Sequence, residues 1–151
     1  MKIVDVKSVL VSIPLEKPKL ISTRSIHSRE YTVVKVLTDE GIVGIGYTMG
    51  ACASIVEKNL RGLLIDEDPF CVEKLWNKMF YGNLRAGRKG EVIRAISAVD
   101  IALWDIMGKA VDKPLYKLLG GYRDKVPVYA SGGYYQESKG IDGLVKEMTS
   151  Y

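Results

Sequence analysis

The stretch AISAVDIALWD, residues 95–105, decides the fold. It lies within a predicted helix over residues 90–111, because apolar residues recur every three to four positions on one face. The residues of that face are Val92, Ala95, Ile96, Val99, Ala102, Leu103, Ile106 and Met107. Ala98 and Ile101 extend the apolar surface around the side, so we expect this helix to be buried on more than one side.

Shorter helices are predicted on either side of this long one. Residues 51–65 carry a single apolar face at helical spacing. Asp68 and Pro69 open the next helix, because aspartate is a good N-cap and proline is tolerated at the first helical position. That helix ends at Gly82-Asn83, and a short helix over residues 114–119 ends at a glycine pair. The centre of the chain is therefore predicted to be a helical bundle.

Strands are predicted before this bundle. Residues 2–13 are rich in Val and Ile and predict a strand that Pro14 ends. Residues 31–38 and 42–47 predict a hairpin, since Asp39-Glu40-Gly41 places glycine where a turn needs positive φ. The intervening residues, 15–29, have neither a strand nor a helix period and include the only histidine. We expect them to form a long loop that contacts a ligand.

The pattern of apolar residues changes again after residue 125. Residues 126–135 predict a strand, and a helix is predicted from Ile141 to the final Tyr151. A single strand followed by an amphipathic helix has no neighbouring strand to pair with and no sheet to cover its apolar face. We therefore expect this chain to be the front part of a longer protein, cut inside the first unit of a β/α domain.

The composition is that of an ordinary globular protein, with 151 residues of which 47% are hydrophobic and 26% charged. The 22 basic and 18 acidic residues leave a net charge of +4, which is too small and too scattered for a nucleic-acid surface. A basic cluster at Arg85, Arg88 and Lys89 is interpreted as a solvated loop. Cys52 and Cys71 are too few for a disulfide framework, which favours a reducing, cytoplasmic location.

No membrane partner is expected either. The N-terminus alternates charged and apolar residues and lacks the apolar core of a signal peptide. The most apolar run, residues 92–110, is interrupted by Arg94, Asp100, Asp105 and Lys109. Each of these charges would be costly in hydrocarbon, so the run is interpreted as a buried helix of a globular domain.

Two motifs that could carry chemistry are explained better by structure. GIGYTMG, residues 44–50, resembles a dinucleotide-binding fingerprint, but its glycines lie in the second arm of a hairpin and indicate close backbone packing. Asp100 and Asp105 lie five residues apart and do not share a helix face, and Asp105 can pair with Lys109. His27 has no second ligand at metal-binding spacing. Spacing alone therefore predicts no catalytic residue and no metal site in this chain.

The helical core nevertheless resembles a known signature. AISAVDIALWD is followed by Gly108-Lys109-Ala110 and then by PLYKLLGG, residues 114–121. This pattern is similar to that of the mandelate racemase and muconate lactonizing enzyme group within the enolase superfamily. The hairpin with its Asp-Glu-Gly turn, the stretch VGIGY at residues 43–47, and Gly87-Arg88 before the long helix also fall where that family has them.

The resemblance implies an α+β fold. Residues 1–125 would form an enolase-like N-terminal capping domain, a three-stranded antiparallel sheet with a helical bundle. Residues 126–151 would form the first strand and helix of a truncated (β/α)₇β barrel of the TIM type. In such barrels the active site is built at the C-terminal ends of the strands.

The resemblance also implies an activity for the longer parent protein. That family abstracts the proton α to a carboxylate and stabilises the resulting enediolate on Mg²⁺. The family's Lys-x-Lys base and its acidic metal ligands would lie beyond Tyr151, so we expect this chain alone to be inactive and to hold no metal. The parent would be a dehydratase or racemase acting on a small carboxylate such as an acid sugar, and we expect a homo-oligomer.

The part of the family's site that this chain retains is the substrate lid. The loop over residues 14–29 and the turn after Tyr47 would occupy the two substrate-closing positions. An arginine suits an acid-sugar carboxylate because its guanidinium is a fork of donors. The candidate substrate-binding residues are Ser22, Thr23, Arg24, His27, Thr48, Met49 and Ser131. A rival hypothesis is a free-standing binding or assembly module that uses the cap fold without catalysis.

Overall fold

A computed structural model describes residues 1–87, 89–136 and 139–151. It contains a three-stranded sheet in the order β1-β2-β3, formed by β1 (Ile3–Ile21), β2 (Arg24–Thr38) and β3 (Val43–Met49). β2 and β3 pair in antiparallel register, with Val34 opposite Gly46. Gly41 lies in the connecting turn with φ of +79°. The predicted hairpin is therefore confirmed.

Helices follow the sheet. A continuous helical stretch comprises α1 (Ala53–Ile55), a π-helical turn (Val56–Leu60) and α2 (Arg61–Leu64). The remaining helices are α3 (Val72–Gly82), a 3₁₀ turn (Leu84–Ala86), α4 (Glu91–Ala110), α5 (Leu115–Leu118) and α6 (Ile141–Thr149). The long central helix, α4, has the predicted bounds to within one residue. Arg88, from the predicted basic loop, lies outside the described residues.

The chain divides into two compact units. One comprises Met1–Val11 and Glu30–Tyr122, and the other comprises Ser12–Arg29 and Arg123–Tyr151. The core of the first unit is formed by inward residues of the sheet and by the apolar faces of the central helices. The predicted face of α4 supplies much of it, since Ala95, Val99 and Leu103 are fully buried.

Gly44 and Gly46 let α4 approach β3 closely. A Cβ atom on Gly46 would lie 1.9 Å from the carbonyl oxygen of Ala98, and one on Gly44 would lie 2.1 Å from that of Ala102. No side chain fits in that space. The interpretation of the glycine run as close backbone packing is therefore correct.

Two boundaries in the first half of the chain differ from prediction. β1 does not end at Pro14 but continues to Ile21, so residues 14–29 form a hairpin arm instead of a long loop. α3 begins at Val72, because Asp68 closes a turn instead, its Oδ1 accepting a hydrogen bond of 2.9 Å from the N–H of Phe70.

The predicted strand over residues 126–135 is not formed. Within it only Tyr135 makes a bridge, an isolated antiparallel contact with Leu20. A parallel strand needs a neighbour to exchange hydrogen bonds with, and the described residues supply none. The helix predicted to follow is present as α6, whose apolar residues Ile141 and Val145 are largely exposed. The first β-α unit of a barrel is therefore not confirmed.

Candidate functional site

The hairpin arm carries four of the predicted site residues. Ser22 and Thr23 form the two-residue turn between β1 and β2, and Arg24 begins β2. All three side chains are exposed. A turn tip without buried neighbours leaves hydroxyls and a guanidinium free to bind a ligand, but the arm alone does not fix their direction.

His27 lines a groove of about 490 Å³ along this arm. The other lining residues are Lys17, Pro18, Leu20, Ser25, Tyr135 and Gln136. The N–H of Tyr135 donates a hydrogen bond of 3.2 Å to the carbonyl oxygen of Leu20, which joins two of the lining residues. Strand alternation puts His27 and Ser25 on one face of β2 and Arg24 on the other. Of the four predicted arm residues, this groove therefore contains only His27.

Thr48 and Met49 lie in β3, and the turn predicted to follow Tyr47 begins instead at Gly50. Thr48 is opposite Thr32 in the β2–β3 register, on the face that packs against the helices. Met49 is the next residue along the strand and points to the opposite face, where it is 53% exposed. The two residues therefore cannot line one wall side by side.

The segment that follows Met49 is held by a buried hydroxyl that the sequence analysis missed. Thr32 Oγ1 donates to the carbonyl oxygen of Gly50 at 2.7 Å and accepts from the N–H of Cys52 at 2.8 Å. Cys52 is buried, and its burial raises the pKa of its thiol. The available signal was a threonine at an inward position of an alternating strand, because a buried hydroxyl needs partners.

Ser131 lies in an exposed stretch without secondary structure. Nearby, Glu147 of α6 accepts hydrogen bonds from the Lys139 side chain, from the N–H of Gly133 at 3.3 Å and from the Tyr151 hydroxyl at 3.1 Å. The Lys139 ammonium holds the pKa of Glu147 below its usual range. This cluster attaches the segment after Ser131 to α6.

The two aspartates of the signature have different surroundings. Asp105 forms the predicted ion pair with Lys109, at 2.6 Å. The half-buried carboxyl of Asp100 has its pKa raised, mainly by loss of solvent and secondly by the nearby charge of Glu73. They are not a catalytic pair, because Asp105 is occupied by the β3 strand and by Lys109.

The described ranges, residues 1–87, 89–136 and 139–151, also bear on metal binding and membrane insertion. In these ranges no three His, Cys, Asp or Glu side chains converge as a metal site would require. The Mg²⁺ implied by the family resemblance thus has no fitting donor set here. None of the helices in the described ranges combines the length and apolar character needed to cross a bilayer.

Proteins of similar sequence are enzymes that act on sugar acids. The chain is 45% identical over 130 residues to an arabinonate dehydratase from Saccharolobus solfataricus, covering 83% of this chain and 35% of that enzyme. It is 42% identical over 134 residues to a 3,6-anhydro-alpha-L-galactonate cycloisomerase from Streptomyces coelicolor, covering 84% of this chain and 37% of that enzyme. The chain thus spans little more than a third of the length of these relatives.

Solved structures of similar fold include magnesium-bound enzymes. A racemase from Streptomyces coelicolor with bound magnesium has a TM-score of 0.82 and 41% identity, covering 85% of this chain and 38% of that one. An L-talarate/galactarate dehydratase from Salmonella typhimurium, liganded with Mg and L-lyxarohydroxamate, has a TM-score of 0.88 and 27% identity, covering 99% of this chain and 41% of that one.

The family comparison covers most of the first compact unit and the whole hairpin arm. Residues 3–120 match the N-terminal domain of mandelate racemase / muconate lactonizing enzyme. The match includes the sheet, the glycines packed on α4, and the helical signature through α5. The chain therefore belongs to the mandelate racemase / muconate lactonizing enzyme N-terminal domain family.

Proposed function

We propose that this chain is the capping, substrate-closing part of a Mg²⁺-dependent enzyme that abstracts the proton α to the carboxylate of an acid sugar. The observation that carries the proposal is the 45% identity to an arabinonate dehydratase over 130 residues. The fold shared with the dehydratase liganded with Mg and L-lyxarohydroxamate supports it. Dehydration, racemisation and cycloisomerisation all begin with this proton abstraction, and we propose dehydration or racemisation for the parent enzyme.

In this proposal the chain binds and encloses substrate and leaves the proton transfer to the barrel. The described residues contain no acidic cluster that could hold Mg²⁺. The 151-residue chain alone should therefore not catalyse the reaction. We propose that residues 1–125 act as the capping domain, that residues 126–151 begin the barrel, and that the enzyme is a cytoplasmic homo-oligomer.

The exposed hairpin arm supplies the proposed substrate contacts. Arg24 is the best match to a carboxylate, because a guanidinium binds both carboxylate oxygens at once. Ser22 and Thr23 offer hydroxyls to the sugar, and His27 offers a ring nitrogen from the groove along the arm. Thr48, Met49 and Ser131 complete the proposed substrate-binding set.

A domain exchange tests this function. Residues 1–120 of this chain would replace the matching N-terminal part of the Saccharolobus arabinonate dehydratase. The hybrid should dehydrate an acid sugar in the presence of Mg²⁺, while the 151-residue chain alone should not. In the hybrid, Arg24→Met should raise KM about tenfold or more, as expected for loss of a charge-assisted contact. Arg85→Met is the control, since Arg85 is an exposed arginine outside the proposed contact set.

Two results would contradict the proposal. A soluble, folded hybrid that binds Mg²⁺ but turns over no acid sugar would remove the capping function. Turnover by the 151-residue chain itself would show that it holds catalytic residues. The rival, a free-standing binding module, would be favoured if the intact mass of the native protein were 16.8 kDa.

A further inference from the structure

The inward face of β2 has a threonine at each end of its buried stretch. Thr32 is completely buried and Thr38 is 6% exposed, and Val34 and Val36 lie fully buried between them. A hydroxyl withdrawn from water must find hydrogen-bond partners inside the protein. The hydrogen-bond partners of each threonine hydroxyl therefore indicate its structural role.

Thr32 binds the turn that follows β3 at two points. Its Oγ1 donates to the carbonyl oxygen of Gly50 at 2.7 Å and accepts from the N–H of Cys52 at 2.8 Å. The same Cys52 N–H also reaches the Gly50 carbonyl, at the longer distance of 3.2 Å. The hydroxyl thus bridges two backbone groups of a tight turn that are also hydrogen-bonded to each other, and it reinforces their contact.

The turn is attached on both sides. On one side, the N–H of Gly50 donates to the carbonyl oxygen of Glu30 at 3.0 Å, which extends the β2–β3 ladder by one bond. On the other side, Cys52 is the N-cap of α1, and its carbonyl oxygen accepts from the N–H of Val56 at 3.2 Å. Fixing this turn therefore fixes both the end of β3 and the start of the helix.

We propose that Thr32 is a positioning residue that sets the place of Thr48 and Met49 for substrate binding. This inference rests on the proposed function. Thr48 lies directly opposite Thr32 in the strand register, and Met49 is the residue before the turn. Thr32 has no exposed surface and does not touch substrate itself. Its hydroxyl acts through the turn, so its removal should weaken substrate binding more than it slows turnover.

Thr38 provides a matched control. Its Oγ1 donates to the carbonyl oxygen of Ile42 at 2.8 Å, at the opposite end of the same hairpin. The two threonines are six residues apart along β2, about 20 Å at the rise of a strand. Replacing either threonine by valine removes one buried hydroxyl from the same strand, but only Thr32→Val alters the turn after Met49.

The first test uses the 151-residue chain. Thr32→Val, Thr32→Ser and Thr38→Val are compared by amide hydrogen exchange measured by NMR. Thr32→Val should speed exchange at Cys52 about tenfold or more beyond the change at core amides of α4, as expected for loss of a buried hydrogen bond. Thr32→Ser should restore the protection of the Cys52 amide. Thr38→Val should change the exchange rate at Cys52 no more than it changes the rates at the core amides of α4. Equal effects of the two valine variants at Cys52 would overturn the proposal.

A second measurement uses the wild-type chain, so it tests the proposal even if the Thr32→Val variant does not fold. In the wild-type chain the Thr32 hydroxyl proton should exchange slowly and show a nuclear Overhauser effect to the Cys52 amide. A rapidly exchanging hydroxyl proton without that effect would overturn the proposal, because the hydrogen bonds that define it would be absent.

The kinetic test uses the hybrid dehydratase. There Thr32→Val should raise KM for the acid sugar about tenfold with a smaller change in kcat, and Thr38→Val should leave KM within about twofold. An active hybrid in which both variants change KM equally would contradict the positioning role. A hybrid that is inactive with Thr32 intact would instead contradict the proposed function, while the exchange result would still decide whether Thr32 holds the turn.

Discussion

The carboxylate of Asp105 on α4 binds the backbone of Ile45 on β3, sixty residues earlier in the chain. Its Oδ2 accepts the Ile45 N–H at 2.7 Å and the Lys109 ammonium at 2.6 Å. Lys109 also donates to the carbonyl oxygen of Val43 at 2.8 Å. The ion pair predicted from an i,i+4 spacing is thus also the contact that fixes the outer edge of β3 to the helix.

Loss of either partner should destabilise the fold measurably. Asp105→Ala and Lys109→Met should each lower the free energy of unfolding by about 1–2 kcal/mol, as expected for a hydrogen bond to a charged group. Urea denaturation measures the change. Lys113→Met is the control, since Lys113 makes no ion pair with the residues that the structure describes. An effect of Lys113→Met as large as that of Lys109→Met would show that the β3 contact is unimportant.

Gly46 should tolerate no side chain. Gly46→Ala places a Cβ 1.9 Å from the Ala98 carbonyl oxygen, which forces β3 and α4 apart and should remove at least about 3 kcal/mol of stability. Gly62→Ala is the matched control, because Gly62 lies in α2 and no atom other than those of its chain neighbours and of its own helix backbone lies within 4 Å of its Cβ position. That change should add about 0.5–1 kcal/mol. Similar thermal midpoints for the two variants would contradict the close packing.

Glu67 should make stability fall in acid. Hydrogen bonds from Lys74 and then Lys78 lower the pKa of Glu67 from 4.5 to about 2. A carboxyl whose pKa is depressed in the folded state stabilises the protein above its unfolded pKa. This contribution is therefore complete above about pH 4.5 and is lost as the pH falls to about 2.

Urea denaturation at several pH values tests the role of Glu67. Glu67→Gln should lose less stability than the wild type over this range, and the difference should shrink in high salt because both lysines are exposed. Glu16→Gln, an exposed change on β1, should follow the wild-type curve. A Glu67→Gln curve that runs parallel to the wild type would contradict the assignment.

Magnesium should have little effect on this chain. Mg²⁺ needs near-octahedral oxygen ligands, and the described residues offer no cluster of acidic side chains. Calorimetry should detect no stoichiometric site, and addition of Mg²⁺ or of EDTA should move the thermal midpoint by less than about 1 °C. A saturable site of micromolar affinity would show that ligands had been overlooked.

The sequence predicted the sheet hairpin and α4 because both depend on local patterns. The turn glycine, Gly41, and the apolar face of α4 do not need knowledge of distant residues. The barrel strand could not be predicted correctly in the same way, since residues 126–135 have strand composition but the described chain offers no parallel neighbour.

The prolines of β1 show how sequence reasoning failed in the arm. Pro14 was predicted to end the first strand, yet Pro14 and Pro18 both lie within β1. β1 is an edge strand, and residues four apart direct their backbone groups to the same side, so both prolines can face away from β2. The carbonyl oxygen of Leu20 has the same parity, and it accepts from Tyr135.

The types of residue at the candidate site could be predicted from the sequence, but their positions relative to one another could not. Thr48 and Met49 were assigned to the turn after Tyr47, but both lie in β3, where strand alternation separates them onto two faces. Thr32 was not selected because a hydroxyl in an apolar strand has no visible partner in the sequence. Its partners, Gly50 and Cys52, are brought to it only by the hairpin.

The backbone groups at the two edges of the sheet determine whether the folded protein can aggregate at high concentration. An exposed edge with free N–H and C=O groups is a template on which another chain can add and start a fibril. Here Asp105 and Lys109 occupy two outward backbone groups of β3, and two prolines interrupt the edge of β1. Growth of cross-β aggregates from the folded state is therefore disfavoured at both edges, and aggregation should instead require prior unfolding.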